Sequence, residues 1–173
     1  MYFENVNFSY EPGNPILKNV NFTITPGMSV AIVGPTGAGK TTIVKAIVDL
    51  YKEVMDISYD KLNEKIALLA PTGRASKRMN EISNFGARTI HKTLGYNYDG
   101  GFCFNEKSQL SASLYIIDES SMIDINLAST LLSALPLNSQ VIFVGDENQL
   151  PSVGPGNVFH DFIIHDLNIK SRF

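Results

Sequence analysis

The chain has 173 residues, 44% hydrophobic and 18% charged, with 14 Lys and Arg against 17 Asp and Glu for a formal charge of −3. That is the length of about one domain and the composition of a packed globule, which excludes disorder as the main state and leaves little room for two full domains. A net acidic chain does not coat nucleic acid by bulk charge, no run approaches the roughly 20 apolar residues of a membrane span, and Met1-Tyr2-Phe3-Glu4 lacks the basic start of a secretory leader, so a soluble, cytoplasmic protein is expected.

In chain order, Tyr2 to Tyr10 alternates Phe3, Val6, Phe8 and Tyr10 with polar residues. Glu11-Pro12-Gly13-Asn14-Pro15 is turn chemistry, and Ile16 to Ile24 resumes a strand-like pattern, predicting an antiparallel hairpin. Apolar runs of strand length follow at Ser29 to Val33, Ile66 to Ala70, Leu114 to Ile117 and Val141 to Val144. Their unbroken apolarity predicts strands covered on both faces. Helical spacing runs from Thr41 to Tyr51, from Arg74 to Ile82, and from Ile125 to Leu135, where Pro136 stops it. Strands alternating with helices predict an α/β fold with a parallel sheet, Ser29 to Val33 central in it, wrapped by helices on both sides. The whole chain reads as one domain, with residues 1–27 as an antiparallel flap and 28–173 as the core. Asn97 to Ser113 is the most loop-like stretch, with a small hairpin expected through Phe102 and Phe104. Cys103, the one cysteine, reads as a buried small hydrophobe. His91, His160 and His165 have no partners at ligand spacing, so no zinc site is expected.

Gly34-Pro35-Thr36-Gly37-Ala38-Gly39-Lys40-Thr41 fits G-x-x-x-x-G-K-[ST], after a predicted strand and before a predicted helix, as this phosphate-binding motif requires. The glycines let main-chain N–H groups turn inward on phosphate oxygens, and the helix beginning near Lys40 directs its positive end at the same place. The nucleotide-binding set is Gly34, Pro35, Thr36, Gly37, Ala38, Gly39, Lys40, Thr41 and Thr42. Lys40 is expected to bridge the terminal phosphates and Thr41 to ligate Mg2+ through its hydroxyl. Leu114-Tyr115-Ile116-Ile117-Asp118-Glu119 is an apolar strand ending in two acids. Beside a phosphate loop, Asp118 suits the Mg2+ shell and Glu119 the activation of water. Gln149, in the polar tip Gly145 to Pro151, is placed to donate to a terminal phosphate and to lose that contact after hydrolysis.

Four segments then carry a family resemblance: Ala70-Pro71-Thr72-Gly73-Arg74-Ala75-Ser76-Lys77-Arg78-Met79, Thr89-Ile90-His91-Lys92-Thr93-Leu94-Gly95-Tyr96, Ile116-Ile117-Asp118-Glu119-Ser120-Ser121-Met122, and Val144-Gly145-Asp146-Glu147-Asn148-Gln149-Leu150-Pro151 onward to Asn157. From about Ile43 the chain resembles the first, RecA-like motor domain of RecD-type superfamily 1 DNA helicases. The resemblance implies ATP with Mg2+, catalytic roles for Glu119, which activates water, and Gln149, which senses the γ-phosphate, beside the Lys40 of the phosphate loop, and single-stranded DNA held by Pro71, Thr72, Gly73, Arg74, Lys77, Thr89 and His91. It also implies the strand order 5-1-4-3-2, with a fifth strand near Leu167 to Lys170. Independently, Pro71 to Tyr96 holds five cations, Arg74, Lys77, Arg78, Arg88 and Lys92, against Glu81 alone, a local net of +4 suited to a phosphate backbone.

The first part, Tyr2 to about Ile47, resembles the start of an ABC-type nucleotide-binding domain, through Phe8-Ser9-Tyr10, Ile16-Leu17-Lys18-Asn19-Val20-Asn21-Phe22, Pro26-Gly27 and Val30 to Lys40. That resemblance implies that Tyr10 stacks on adenine. The chain thus joins two P-loop families at the element they share. No LSGGQ-like signature lies between Lys40 and Asp118, as a complete ABC domain requires. The helicase family continues past the position of Phe173 into a second motor domain with the arginine that completes the ATP site, so slow hydrolysis and no unwinding by the chain alone are expected. The competing readings are an ABC-like ATP-binding subunit and a non-catalytic nucleotide-binding fold.

Overall fold

A computed structural model describes residues 2–8, 13 and 17–164. Strands β1 (Tyr2–Phe8) and β2 (Leu17–Thr23) form the antiparallel pair expected from their alternation. β3 (Ser29–Val33) leads through the glycine loop into α1 (Lys40–Met55), and α2 (Tyr59–Lys65) runs directly into β4 (Ile66–Ala70). Then come α3 (Gly73–Ser83), β5 (Ala87–Thr89), α4 (Ile90–Thr93), the short hairpin β6 (Tyr96–Asn97) and β7 (Gly101–Phe102), β8 (Leu114–Ile117), α5 (Ile125–Ser133), β9 (Gln140–Gly145) and α6 (Val158–Ile164).

β3, β9, β8, β4 and β5 form one parallel sheet in that spatial order. The order of the first four matches the expectation, with β9 between the strands that carry Lys40 and Asp118. β3 is an edge strand among the described residues rather than a central one, since the expected fifth strand near Leu167 to Lys170 lies outside them. β5 is an edge strand the sequence did not announce. Its three residues are too few to show a period, and it is fixed by pairing with β4 from Leu68↔Ala87 to Ala70↔Thr89.

The unbroken apolar runs are covered on both faces, as predicted. Val30, Ile32, Leu68, Leu114, Ile116, Ile142 and Val144 pack with Ile43, Val44, Ile47, Val48 and Tyr51 of α1, Leu62 of α2 and Met79 of α3. Their alternates Ala31, Val33, Leu69, Tyr115, Ile117, Val141 and Phe143 pack with Ile90 of α4, Leu127, Ala128 and Leu131 of α5, and Val158 and Phe159 of α6. All four residues of β8 are fully buried; at about 1.5–3 kcal/mol for each large apolar side chain, this strand is a principal anchor of the sheet. The flap docks through Val6, partly buried against the α1 side of the core, and through the Ile24 carbonyl, which accepts from Gln140 Nε2 at 2.9 Å.

Cys103 is exposed rather than buried, because it lies on the surface turn that backs onto Gly95. The small hairpin uses Tyr96 and Phe102 as cross-strand partners, with Phe104 beyond it. No helix among the described residues is long and apolar enough to cross a membrane.

Candidate functional site

Because the five strands are parallel, the loops that follow them leave the sheet along one edge, where open α/β sheets hold their ligands. On that edge stand the glycine loop after β3, Pro71 after β4, Thr89 at the end of β5, Asp118 after β8 and Asp146 after β9. Register sets their spacing: Val33 pairs with Gly145, Ile117 with Phe143 and Ala70 with Thr89.

The loop from Gly34 to Lys40 takes the shape its glycines permit. Gly37 and Gly39 have φ of +89° and +82°, a region costly to residues with a Cβ, and Gly39 is the N-cap of α1. Lys40 turns its ammonium onto the carbonyls of Gly34 at 2.6 Å and Pro35 at 2.9 Å. Gly34 N–H donates to the Gly145 carbonyl at 3.3 Å, tying the loop to the tip of β9. Thr42 is buried and Thr41 half-buried in the first turn of α1.

Asp118 lies close enough to Lys40 to feel its charge. Burial pushes its carboxyl above the usual carboxylate range; the Glu119 N–H bonded to Oδ1 at 2.9 Å pulls it back, the Glu119 charge raises it further, and Lys40 and Arg78 lower it. Glu119 has φ +52° and opens the short 3-10 turn Ser120–Met122. That left-handed kink is uncommon for a glutamate and bends the chain at the strand end.

Asp146 went unrecognised in the sequence, where it is one polar residue in a polar tip. It is 5% exposed. Its Oδ2 accepts from Thr36 N–H at 2.8 Å and from the Thr36 hydroxyl at 3.2 Å, and its Oδ1 accepts from Asn148 N–H at 3.0 Å. The Asn148 N–H, both Thr36 groups and the Lys40 charge together hold its carboxyl below the usual range against the effect of burial. The available signal was its position as the first residue past a buried strand beside the phosphate loop. Gln149, three residues on, donates from Nε2 to Thr36 Oγ1 at 2.9 Å, so Gln149 and the phosphate loop are in contact.

The residues assigned to DNA by resemblance fall on the adjoining stretch of the same edge. Thr72 caps α3 by accepting from Ala75 N–H at 3.2 Å, and Thr89 caps α4 by accepting from Lys92 N–H at 3.2 Å. Pro71 is half-buried, and Gly73, Arg74 and Lys77 are exposed along the start of α3. His91 is exposed and meets Tyr96 edge-on, centroids 5.7 Å apart at 87°, with Phe102 at 5.8 Å. Arg78 differs from its neighbours in the basic strip because its charge also reaches Asp118. Tyr10 lies outside the described residues.

A glycine loop between a buried strand and a helix, with a lysine set between carboxylates from two neighbouring strand ends, defines a P-loop nucleotide-binding domain. The chain belongs to the AAA domain family, whose profile matches residues 18–155 and so takes in the phosphate loop and the strand before it. It is 38% identical over 127 residues to an ATP-dependent RecD2 DNA helicase of Deinococcus radiodurans, covering 73% of this chain and 16% of that one. It is 36% identical over 146 residues to the RecD subunit of the RecBCD enzyme of Buchnera aphidicola, covering 73% and 23%. The RecD-type resemblance therefore holds, and the chain spans under a quarter of either relative's length. Among solved structures it resembles cbiO1 from Clostridium perfringens, part of the ABC transporter complex cbiONQ, with a TM-score of 0.53 and 15% identity, covering 84% of this chain and 78% of that one. At that identity the likeness is one of fold.

Proposed function

We propose that this domain binds and hydrolyses ATP as part of a RecD-type motor and contacts single-stranded DNA beside the ATP site. What supports the reading is the meeting, on one sheet edge, of the Lys40 loop, the strand-end acids Asp118 and Glu119, and Gln149.

In this reading the loop N–H groups and Lys40 hold the phosphates, and Lys40 exchanges the Gly34 and Pro35 carbonyls for phosphate oxygens. Mg2+ usually takes one or two carboxylates together with phosphate oxygens and water. Asp118 would supply such a carboxylate and Thr41 a hydroxyl oxygen, and no group of three or more His, Cys, Asp or Glu forms a cage among the described residues. Bound there, Mg2+ would neutralise charge building on the phosphates. Ionised Asp118 suits a cation better than solitude, since burial disfavours its charge until a cation offsets it. Glu119 orients and deprotonates the attacking water, and Gln149 meets the terminal phosphate. Pro71, Thr72, Gly73, Arg74, Lys77, Thr89 and His91 hold the DNA strand, cations and helix N-termini facing its phosphates. A partner motor domain fits the same scheme, because related phosphoryl-transfer sites gain roughly 10^3 to 10^5 in rate from an arginine supplied across an interface.

ATPase rates measured with and without single-stranded DNA test the proposal. DNA stimulation that Arg74→Ala abolishes, with turnover lost in Glu119→Gln, is the expected result. Turnover indifferent to DNA would favour the ABC-like reading, and nucleotide binding without turnover, unaltered by Glu119→Gln, the non-catalytic one.

A further inference from the structure

The phosphate-loop pattern leaves the position of Thr36 open to any residue, yet its side chain is the junction of two others. Gln149 Nε2 reaches its hydroxyl oxygen at 2.9 Å, and that oxygen lies 3.2 Å from Asp146 Oδ2. An ionised carboxylate has no proton to give and an amide nitrogen accepts none, so the donor sense is fixed. Gln149 donates to Thr36, and Thr36 donates to Asp146. Such a chain of hydrogen bonds polarises along its length, and each bond strengthens the next.

The two ends of this relay differ in firmness. Asp146 is buried and anchored by the main-chain N–H groups of Thr36 and Asn148. Gln149 is half-buried and Thr36 is exposed, so the outer bond can exchange with a ligand while the inner one stays fixed. An acceptor arriving at the loop mouth therefore competes with the Thr36 hydroxyl for the amide of Gln149.

We propose that Thr36 and Asp146 form a latch that holds the Gln149 amide against the phosphate loop, so that a terminal phosphate engages Gln149 only by displacing Thr36. The proposal rests on the nucleotide reading above and makes Thr36 a positioning residue acting through Gln149. Its consequence is selective. A triphosphate whose end reaches Gln149 must break the outer bond, whereas a diphosphate leaves it whole. The latch thus weakens triphosphate binding relative to diphosphate binding by the strength of one hydrogen bond, and Gln149 passes between two defined partners instead of between phosphate and water.

The test is equilibrium titration of the full chain, with Mg2+, using fluorescent N-methylanthraniloyl ADP and the matching β,γ-imido ATP analogue. Thr36→Val, or Thr36→Ala should the valine variant not fold, is expected to raise the preference for the ATP analogue over ADP about three- to ten-fold, the range of an ordinary net hydrogen bond. Thr36→Ser is expected to restore the wild-type ratio of the two constants. In a Gln149→Ala background the ratio is expected not to respond to Thr36, the coupling that defines a double-mutant cycle. Equal shifts for both nucleotides would reduce Thr36 to a structural part of the loop and overturn the latch, as would an unchanged ratio. Wild-type protein that binds neither nucleotide would instead refute the nucleotide reading itself, and the latch with it.

Discussion

Replacing Lys40 by Ala removes the charge on which the proposed site centres, and its cost can be worked from the surroundings of that side chain. A lysine ammonium and a phosphate oxygen about 4 Å apart attract by about 4 kcal/mol at the effective dielectric of a protein surface. Binding is not credited with all of this, because the ammonium already holds the Gly34 and Pro35 carbonyls at 2.6 and 2.9 Å and must release them. Two such bonds, each taken at about 0.5–1 kcal/mol, the range of an ordinary net hydrogen bond, because the site is partly open to water, offset about 1–2 kcal/mol. The remainder, about 2–3 kcal/mol, corresponds to roughly a 30- to 200-fold loss of affinity. The same change withdraws a favourable charge from Asp118 and Asp146, so the protein without nucleotide should melt a few degrees lower. Titration calorimetry with Mg-ATP measures the first effect and a thermal scan the second. Unchanged affinity in a variant that still folds would mean that the phosphates do not lie where Lys40 reaches, and the chemistry assigned to this edge would fall.

Asp118 and Asp146 should respond to pH in opposite senses. Burial raises the Asp118 carboxyl, so its ionisation opposes folding as pH rises through the raised folded value; Asp118→Asn should raise Tm at pH 7 without nucleotide, a gain that shrinks as pH falls to the ordinary 3.8. Asp146, held low, contributes stability above 3.8 that is lost as pH falls through its lowered value; Asp146→Asn should lower Tm at pH 7, and the two proteins' melting curves should converge in acid. A Cβ on Gly145 would sit 2.6 Å from Cε1 of the buried Phe159 ring, so Gly145→Ala should cost about 1–3 kcal/mol of overpacking, read in urea melts and partly relieved by Phe159→Leu. If Arg74 and Lys77 meet DNA phosphates, each alanine substitution should reduce the slope of log affinity against log salt for single-stranded DNA by about 0.7, and an unchanged slope would take that residue off the DNA path.

The sequence alone determined the strands β3, β4, β8 and β9, since a strand covered on both faces can use few polar residues and its apolar run stands out. It determined α1, α3 and α5 by their spacing, and the phosphate loop by a residue pattern that geometry demands. It did not reveal α2, where Leu62 is buried while Asp60, Lys61, Asn63, Glu64 and Lys65 are exposed, or β5, which is held by a neighbour's register and by no pattern of its own. Tertiary structure alone decided that Asp146, 110 residues beyond Thr36, closes on the phosphate loop. Strand order brings β9 beside β3 across that separation, and no local pattern encodes which strand tips become neighbours. Residue chemistry named the groups able to grip phosphate; parallel pairing decided which of them share an edge and which become one another's hydrogen-bond partners.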